Sequence, residues 1–503
     1  MGNMHDPRQS LAPGETALKL TRRGALGAVG LVMADALLGG CGGGSGESPA
    51  PSSALPRNPQ PVPSGPQTLA TVSVSANVAG SIGTGFAGLS YEKSSMAIPR
   101  FVPGNADLIG LFTRLGPSLL RIGGNSVDQT QWAPSGAGWT SGEVAPSDLD
   151  ALAGFLQATG WNVLYGVNLA TSTPAAAAAE VAYAVQSLGS SLYAIEIGNE
   201  PDLYGGHYFS TWSLADFEQL WAQFRSAILQ AAPTVKLTGP AAASNIGTWT
   251  VPFGEHVGSS EIILLTQHYY RGNGQSASST VAELVSPDPN LMADLATLKA
   301  GAATIGVPYR MSETNSFYNG GANGVSDSYA SSLWVIDLLF NIALGGGTGA
   351  NLHGGGGGDG DGYTPIADNN GVVVEARPEY YGVLLFTLAG QGTLLQTTVA
   401  AAGLNVTAYT IRSDAGGLSI VVVNKDGTQN LQLSVDTGQP VNTAALLALN
   451  GPALDATSGV LIQRAAVAQN GGFTPEAAYT LTVAADVVTC YVPAACAALI
   501  RIT

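Results

Sequence analysis

The chain has 503 residues, of which 45% are hydrophobic and only 11% carry a charge. Its length favours more than one domain, although a single barrel can use roughly 250 residues, and its apolar content is sufficient for a large core. The formal net charge of −16 argues against a nucleic-acid or polyanion partner, because phosphate contacts need clustered Lys and Arg.

The N-terminal segment is typical of an export signal. Arg22 and Arg23 precede a short, Gly-rich apolar stretch that Asp35 interrupts, and this stretch is too weak for a permanent membrane-spanning helix. The paired arginines resemble a bacterial twin-arginine signal. The sequence "LGGC" resembles a lipoprotein cleavage box in which Cys41 receives a lipid, with an ordinary signal remnant as the alternative. We expect residues 1–41 to direct the protein to the periplasm or cell surface, with membrane contact only through a lipid on Cys41.

Residues 42–67 are dominated by Gly, Ser and Pro. Such a composition cannot bury a core, and its prolines keep the chain extended. We therefore predict a flexible linker over residues 42–67, between the signal and the folded part.

After the linker, strand-like and helix-like segments alternate. "TLATVSVSAN" has the period of a half-buried strand and predicts a strand over residues 68–84. Short apolar runs follow, most of them ending in a polar residue: "GFAGLSYE", "SLLRIGGN", "NVLYGVNL", "YAIEIGNE", "VKLTGPAA", "IILLTQHYY", "PYRMSETN" and "TGANLHGG". The segments between them have apolar residues at three- and four-residue spacing, and several end at Gly, as helices often do.

These strand–helix units predict an α/β fold, a (β/α)₈ TIM barrel over residues 85–381. In that fold the C-terminal ends of the strands face one mouth, so polar residues that end different strands converge there. From residue 382 the segments are strand-like, with turns such as "KDG" and "DAGG" and without helix signals. They predict a β-sandwich over residues 382–503, and the strand at 68–84 is expected to join it.

Two glutamates end predicted barrel strands. Glu200 lies in "EIGNEP", where Pro201 prevents the strand from continuing, and Glu313 lies in "RMSETN". Two carboxylates that face each other across a barrel mouth suit glycosidic bond cleavage. One protonates the leaving oxygen, and the other attacks or assists at the anomeric carbon.

Neighbouring polar residues complete this hypothesis. Asn199 can bond a sugar 2-hydroxyl, and Tyr270 can orient the Glu313 carboxylate and keep it ionised. Glu196 lies earlier in the same predicted strand, on the same face as Glu200, and is interpreted as a buried supporting carboxylate.

The motifs "EIGNEPDLY", "QHYYRG" and "RMSETNSFYNGG" resemble those of clan A retaining glycosidases. More narrowly they resemble glycoside hydrolase family 79, which holds bacterial and fungal β-glucuronidases and the heparanases. "NEP" alone fits the whole clan, whereas "HYY" and "SFYNGG" are the narrower marks. The resemblance covers residues 68–503 and includes the β-rich C-terminal domain.

The resemblance implies a role for each matching residue. Glu200 is expected to be the acid/base and Glu313 the nucleophile. The implied substrate-binding residues are Glu92 and Asn125 for sugar hydroxyls, Asn199, Tyr270 as the partner of the nucleophile, and Tyr318, Gly320, Gly321 and Tyr363 for the substrate carboxylate. The Gly-rich stretch before Tyr363 departs from the usual pattern.

The expected substrate is a glucuronide-bearing glycan or glycoconjugate. The loop "SFYNGG" offers no Arg or Lys, but backbone N–H groups near Gly320 and Gly321 can form an anion-binding concavity, with a plain Gly turn as the alternative. Because a heparanase-type polymer site should need a basic groove, the sequence favours an exo-acting β-glucuronidase over an endo-acting enzyme.

Three other functions stay open at this point. They are a clan A glycosidase for neutral sugars such as a xylosidase or glucosidase, a heparanase-like endo-enzyme, and a surface lipoprotein that only binds glycans.

No metal and no cofactor is expected. His207, His268 and His353 do not have a metal-ligand spacing, and His268 and His353 are interpreted as pocket-lining residues. The glycine run at residues 354–358 lacks the Lys of a phosphate-binding loop and the context of a dinucleotide site. Cys490 and Cys496, in "TCYVPAAC", are either a disulfide of an exported protein or two unrelated buried thiols.

Overall fold

The computed structural model describes residues 58–355 and 362–503. The predicted export signal at residues 1–41, with Cys41, and the first part of the predicted linker therefore lie outside the described residues. No helix in the described ranges is long and apolar enough to cross a membrane.

The strands of the first half are, in chain order, β1 Gln67–Ile82, β2 Ala87–Glu92, β3 Leu119–Gly123, β4 Gln131–Trp132, β5 Glu143–Val144, β6 Asn162–Val167, β7 Leu192–Ile197, β8 Leu237–Ala242, β9 Leu264–Asn273, β10 Tyr309–Tyr318 and β11 Ala350–Gly354. Those of the second half are β12 Ile366–Asn369, β13 Val372–Ala376, β14 Gly392–Ala400, β15 Val406–Arg412, β16 Leu418–Asn424, β17 Asn430–Asp436, β18 Ala444–Asn450, β19 Leu461–Ile462, β20 Tyr479–Thr480, β21 Thr482–Ala484, β22 Val487–Val492 and β23 Cys496–Ile502.

The α-helices are α1 Ala106–Leu115, α2 Pro146–Thr159, α3 Pro174–Leu188, α4 Leu214–Ala231, α5 Val251–Val257, α6 Val281–Val285, α7 Pro289–Ile305, α8 Tyr329–Leu344 and α9 Pro378–Ala389. Short 3₁₀ helices cover Lys93–Ala97, Asn125–Gln129, Gly189–Ser191 and Pro201–Leu203, and a π-helix covers Ile246–Thr250.

A closed barrel of parallel strands forms the first part of the fold. Its strand order is β10-β11-β2-β3-β6-β7-β8-β9, which closes because β9 pairs with β10. Helices cover the outside of a parallel barrel, so its strands are buried on both faces, and β3, β8 and β11 are buried at every position. The predicted (β/α)₈ barrel is confirmed.

The helices around the barrel begin and end where the sequence provides caps. The Thr173 hydroxyl accepts a hydrogen bond from the backbone of Ala176 at the start of α3, and Pro174 takes the first helical position. Gly160 ends α2 with a φ of 72°, a left-handed conformation that glycine adopts readily. These short-range signals set the helix lengths between successive barrel strands.

The C-terminal domain is one sheet of eleven strands that folds over on itself. Its order is β19-β18-β23-β16-β15-β14-β1-β17-β22-β21, with β20 paired to β18. Val72, Leu433 and Val488 from one half of the sheet share an apolar cluster with Leu446 and Ile500 from the other half. The two halves therefore face each other as the layers of the predicted β-sandwich.

The first strand belongs to this sandwich and not to the barrel. β1 pairs antiparallel with β14 and parallel with β17, with Val72 opposite Val399 and Val435. The sheet thus contains a strand that precedes the whole barrel in the sequence, as the strand-like alternation at residues 68–84 indicated.

Two predicted boundaries differ from the structure. The boundary at residue 382 falls inside α9, whose residues are nearly all buried. This helix was not predicted because it is almost uniformly apolar and lacks the periodic polar positions that reveal a helix in the sequence.

The linker predicted to reach residue 67 ends earlier. Asn58 donates to the carbonyl of Ala477, and Gln60 exchanges hydrogen bonds with the backbone of Tyr491. Side-chain amides, which composition alone does not reveal as partners, fix this Pro-rich segment to the sheet.

The two C-terminal cysteines are free thiols. Cys490 lies in β22 and Cys496 in β23, and both are buried. Burial raises the pKa of each thiol to about 12, because a thiolate is poorly solvated in an apolar core. The structure therefore has the two buried thiols and not the disulfide.

The place of β1 in the sandwich gives a stability prediction. Val72 is fully buried, so Val72→Ala should lower the free energy of unfolding by about 2 kcal/mol through lost burial and a new cavity. Chemical denaturation followed by circular dichroism measures this change. The matched control is Val78→Ala in the same strand, where the side chain is 67% exposed and the change should stay within about 0.5 kcal/mol. Equal effects of the two substitutions would contradict the placement of β1.

Candidate active site

Glu200 lies in a tight turn directly after β7. Its φ of 51° and ψ of 52° are left-handed, which is uncommon for a residue with a side chain. Its backbone N–H donates to the carbonyl of Ala241 at 2.9 Å, and Pro201 starts the short helix Pro201–Leu203. The turn therefore ends the strand at the barrel mouth and leaves the carboxylate partly accessible.

Glu313 lies in β10, and both of its carboxylate oxygens accept hydrogen bonds. Arg121 donates from Nη1 to Oε2 at 2.7 Å, and the Tyr270 hydroxyl donates to Oε1 at 2.8 Å. The side chain is buried, so these two donors fix its orientation. The contact with Tyr270 is the one that the sequence predicts.

The charges around Glu313 keep it ionised. Burial by itself would raise the pKa of this carboxyl, but the neighbouring His353, His268 and Arg121 side chains and the hydrogen bond from Tyr270 hold its pKa well below the usual range. At neutral pH Glu313 is therefore a carboxylate, which is the form that a nucleophilic attack would need.

Arg121, in β3, connects the functional residues. Its guanidinium is fully buried and donates to Glu196 at 2.6 Å, to Glu313 at 2.7 Å and to the Asn199 side chain at 2.9 Å. Glu196 is thus a buried partner of Arg121 and makes no contact with Glu200 among those that the structure describes. Sequence reasoning missed Arg121, although a lone Arg in the apolar stretch "SLLRIGG" was a signal, because a buried guanidinium needs buried acceptors.

His268, in β9, contacts the other glutamate. Its Nδ1 lies 2.9 Å from Oε1 of Glu200. One ligand-type atom from each of Glu200, His268 and Glu313 lies within 4.8 Å of the other two. The two glutamates predicted from separate strands are therefore brought together, with the imidazole beside them.

This trio of donors has the composition of a cation site. However, both oxygens of Glu313 already accept hydrogen bonds, and one donor is the positively charged Arg121. A metal ion would lie next to that fixed positive charge. The arrangement therefore favours proton transfer and nucleophilic attack over metal binding.

Glu92 and Asn125 form a second polar group at the mouth. The Glu92 carboxylate accepts from the backbone N–H groups of Asn125 at 3.1 Å and Ser126 at 2.8 Å. Gly124 makes this approach possible, since its φ is 75° and a Cβ there would lie 2.5 Å from the Glu92 carboxyl carbon. The Asn199 amide donates to Oδ1 of Asn125 at 3.3 Å, which joins this group to the turn that carries Glu200.

His353, in β11, lies between two carboxylates. Its Nε2 is 3.6 Å from Glu92, its Nδ1 is 3.7 Å from Glu313, and Nδ1 is 3.0 Å from the Ser90 hydroxyl. Burial lowers the pKa of His353, but the negative charges of Glu313 and Glu92 outweigh it, so the pKa is raised. His353 therefore does more than line the pocket, because its imidazole faces two carboxylates that favour its protonated form.

The two segments predicted to hold the substrate carboxylate are adjacent. The backbone of Gly362 donates to the carbonyl of Gly320 at 2.7 Å. Gly321 has a φ of 83°, and a Cβ there would lie 2.9 Å from the backbone nitrogen of Tyr363, so only glycine permits the close approach. Part of the preceding Gly-rich stretch, residues 356–361, lies outside the described residues.

Three tyrosines meet beside Glu313. The Tyr270 ring centroid lies 6.4 Å from that of Tyr318 and 6.1 Å from that of Tyr363. Tyr318 is half-exposed at the end of β10, whereas Tyr363 is buried. A cavity of about 380 Å³ opens next to this group, and Glu92, His353 and Tyr363 form part of its wall.

Sequence comparison supports a glycosidase relationship. The chain is 26% identical over 219 residues to a curated β-glucuronidase of Aspergillus niger. The chain resembles a β-glucuronidase. This match confirms the resemblance that the motifs indicated, although it spans only 39% of the chain and 40% of the relative's length. The chain matches no protein-family model.

Structural comparison supports the fold. A 4-O-α-L-rhamnosyl-β-D-glucuronidase from Fusarium oxysporum superposes with a TM-score of 0.71 at 20% identity, over 86% of this chain and 99% of the other. A family 51 α-L-arabinofuranosidase from Bifidobacterium longum gives a TM-score of 0.65 at 14% identity, over 87% and 100% of the two chains. At these identities the likeness establishes the barrel-plus-β-domain architecture alone.

The position of His353 gives a prediction about its ionisation. Its pKa should lie above 6.5 and should fall in Glu92→Gln, because the amide removes one of the two negative charges that face the imidazole. NMR titration of isotope-labelled histidines measures this, with the resonance assigned through His353→Gln.

The control is Glu476→Gln, at an exposed position, which should leave the titration unchanged. Since the folded pKa is raised, the associated stability is fully present below the unfolded pKa and is lost as the pH rises through the folded value. A His353 that titrates below 6.5, or that Glu92→Gln does not affect, would contradict the described geometry.

Proposed function

We propose that the protein is a retaining, exo-acting β-glucuronidase that removes terminal β-linked glucuronic acid from glycans or glycoconjugates. The observation that carries the proposal is the approach of Glu200 and Glu313, which have carboxylate oxygens within 4.8 Å of each other. Retaining glycosidases have carboxyl groups about 5–5.5 Å apart, whereas inverting enzymes need about 6.5–9.5 Å to admit a water molecule. The short separation supports direct attack by one carboxylate.

In the first step Glu313 attacks the anomeric carbon and forms a glycosyl–enzyme ester. The glycosidic C–O bond breaks, and its oxygen takes a proton from the Glu200 carboxylic acid as the aglycone leaves. Arg121 and Tyr270 hold the Glu313 carboxylate in place, so the carboxylate needs little reorientation before it attacks.

In the second step Glu200, now a carboxylate, takes a proton from water. The resulting hydroxide attacks the anomeric carbon, the bond to Glu313 breaks, and glucuronic acid leaves with its configuration retained. Two inversions at one carbon give the retained product. The contact of His268 with Glu200 positions this carboxyl group for both transfers.

Sugar hydroxyls are assigned to the group of Glu92, Asn125 and Asn199. Asn199 is adjacent to Glu200 and its amide oxygen accepts from Arg121, so the side chain is fixed where it can bond a 2-hydroxyl. Glu92 is held by backbone N–H groups, which leaves its carboxylate as a rigid acceptor for hydroxyl donors.

The substrate carboxylate is assigned to residues 318–321 with Tyr363. Tyr hydroxyls and backbone N–H groups near two left-handed glycines suit an anion, and the His353 imidazole lies close to Tyr363, with a ring separation of 6.1 Å. The acidic chain does not suit a long sulfated polymer, which supports exo action. Export and lipid attachment at Cys41 stay predictions for residues outside the described ranges.

The proposal predicts a strong preference for a uronic acid. Purified protein without residues 1–41 should hydrolyse p-nitrophenyl β-glucuronide at least about 100-fold faster than the β-glucoside, which lacks the carboxylate. Initial rates over a range of substrate concentrations give kcat/KM for both. Comparable rates would contradict the uronate site and would favour a neutral-sugar glycosidase.

The same assay tests the nucleophile. Glu313→Gln should lower kcat on the order of 10⁴-fold or more, because the amide cannot form the ester intermediate. The exposed Glu476→Gln is the matched control and should retain full activity. Circular dichroism of each variant shows whether the fold is intact, and a folded Glu313→Gln with normal turnover would refute the assignment.

A further inference from the structure

A second cavity, of about 190 Å³, lies at the end of the barrel where the strands begin. Its wall includes residues within two positions of the start of six barrel strands: Gly85, Ser118, Asn162, Tyr193, Arg310 and Thr348. Because the barrel strands are parallel, all these starts lie at the same end. Glu200 follows the last residue of β7, so this basal cavity lies at the opposite end of the barrel from the candidate active site.

The basal cavity has one charged residue in its wall. Arg310 is the only acidic or basic residue among those that line the cavity, and 4% of its surface is exposed. The wall therefore carries a single positive charge, in a chain whose formal net charge is −16.

The hydrogen bonds of the Arg310 guanidinium go to neutral acceptors. Nε donates to Oδ1 of Asn351 at 2.6 Å, and Nη2 donates to three backbone carbonyls at 3.1 Å each. Nη1 carries two hydrogens but makes one contact, with the carbonyl of Thr348 at 3.3 Å. Among the contacts of the described residues, one N–H of Nη1 is thus left for a ligand.

Arg310 differs in this respect from the other buried bases. In the described ranges four further basic side chains are buried, and each is paired with a carboxylate: Lys93 with Glu180, Arg100 with Asp368, Arg121 with Glu196 and Glu313, and Lys425 with Asp337. Arg310 forms no ion pair with a carboxylate of the described residues. Carbonyl groups satisfy its hydrogen bonds but carry no net charge, and a buried charge is costly unless it is paired.

The guanidinium keeps its charge in spite of this burial. Burial lowers the pKa of Arg310 to about 10, and the nearby Tyr193 side chain acts in the opposite direction. At neutral pH Arg310 is therefore still a cation, and the structure around it lacks the matching negative charge.

Two side chains of the wall offer further donors. The Tyr193 hydroxyl and the Asn162 amide make no hydrogen bond within the described part of the chain, and both side chains are exposed to solvent. A guanidinium, a hydroxyl and an amide together suit a ligand that carries negative charge on several oxygens. The cavity has several times the volume of about 30 Å³ that one water molecule occupies in the liquid, so it admits a small anion of several atoms.

From these observations we propose that the basal cavity binds a small oxyanion of the phosphate or sulfate class, with Arg310 as its counter-charge and Tyr193 and Asn162 as further donors. This inference goes beyond the proposed glucuronidase function and does not depend on it. The anion supplies the charge that the buried guanidinium lacks, and it stabilises the folded protein because the unfolded chain has no such cavity.

The test is thermal unfolding of the purified protein, followed by circular dichroism, with increasing inorganic phosphate or sulfate. The melting temperature should rise to a limit, by about 2–4 °C when the anion is at roughly 100 times its Kd. Sodium chloride at the same ionic strength should give a smaller rise, because it screens charges without offering several oxygen acceptors.

Asn162→Asp places a carboxylate in the wall, where it can serve as the counter-charge of Arg310. The rise caused by phosphate should then shrink to that caused by chloride. Asn450→Asp is the matched control, because Asn450 is exposed at the end of β18 in the sandwich and does not line the cavity, and it should keep the full rise. Arg310→Gln should also remove the phosphate effect, and where this variant does not fold the result for Asn162→Asp decides.

Two outcomes would overturn the proposal. The first is a wild-type protein on which phosphate and sulfate have no larger effect than chloride. The second is a phosphate effect that Asn162→Asp retains in full, since an anion bound elsewhere, including at the candidate active site, would not respond to that substitution.

Discussion

The site depends on the charge balance around the buried Arg121 guanidinium. One positive charge from β3 faces two buried carboxylates, Glu196 and Glu313, and also binds Asn199. Removing charges from water costs several kcal/mol for each ion, so these groups are stable only together, with their hydrogen bonds formed. This requirement fixes the position of Glu313 and keeps it ionised. Glu196, which makes no proposed contact with substrate, is needed because it shares the charge of Arg121.

The same constraint connects Glu313, the proposed nucleophile, to Glu200, the proposed acid. Arg121 holds the side chain of Asn199, and buried Asp128 accepts from the backbone of Asn199 at 3.3 Å, so the residue next to Glu200 is held from two sides. The left-handed turn at Glu200 is therefore supported by contacts from β3 and from the 3₁₀ helix Asn125–Gln129 that follows it. A barrel suits such chemistry because residues from several strand ends can be fixed within a few ångströms while the supporting charges stay buried below them.

Much of the fold and the positions of the two glutamates could be predicted from the sequence, because short stretches of sequence encode them. The spacing of apolar residues in strands and helices predicted the barrel. The motifs "GNEP" and "SETN" identified Glu200 and Glu313 as carboxylates at strand ends. Arg121 was not recognised, and His353 was interpreted only as a pocket-lining residue, because their contacts are with residues 75 and more positions away, such as Glu196 and Glu92. The helix α9 was missed for a different reason, since it is apolar on all sides and has no period to detect.

The most direct test of the account is to trap the covalent intermediate. A 2-deoxy-2-fluoro-β-glucuronyl fluoride slows both steps, but its good leaving group lets the first proceed, so the glycosyl–enzyme ester should accumulate. Mass spectrometry of the digested protein should find the added fluoroglucuronyl mass on the peptide that contains Glu313. A label on Glu200, or no label while the enzyme turns over ordinary glucuronides, would contradict the proposed double displacement.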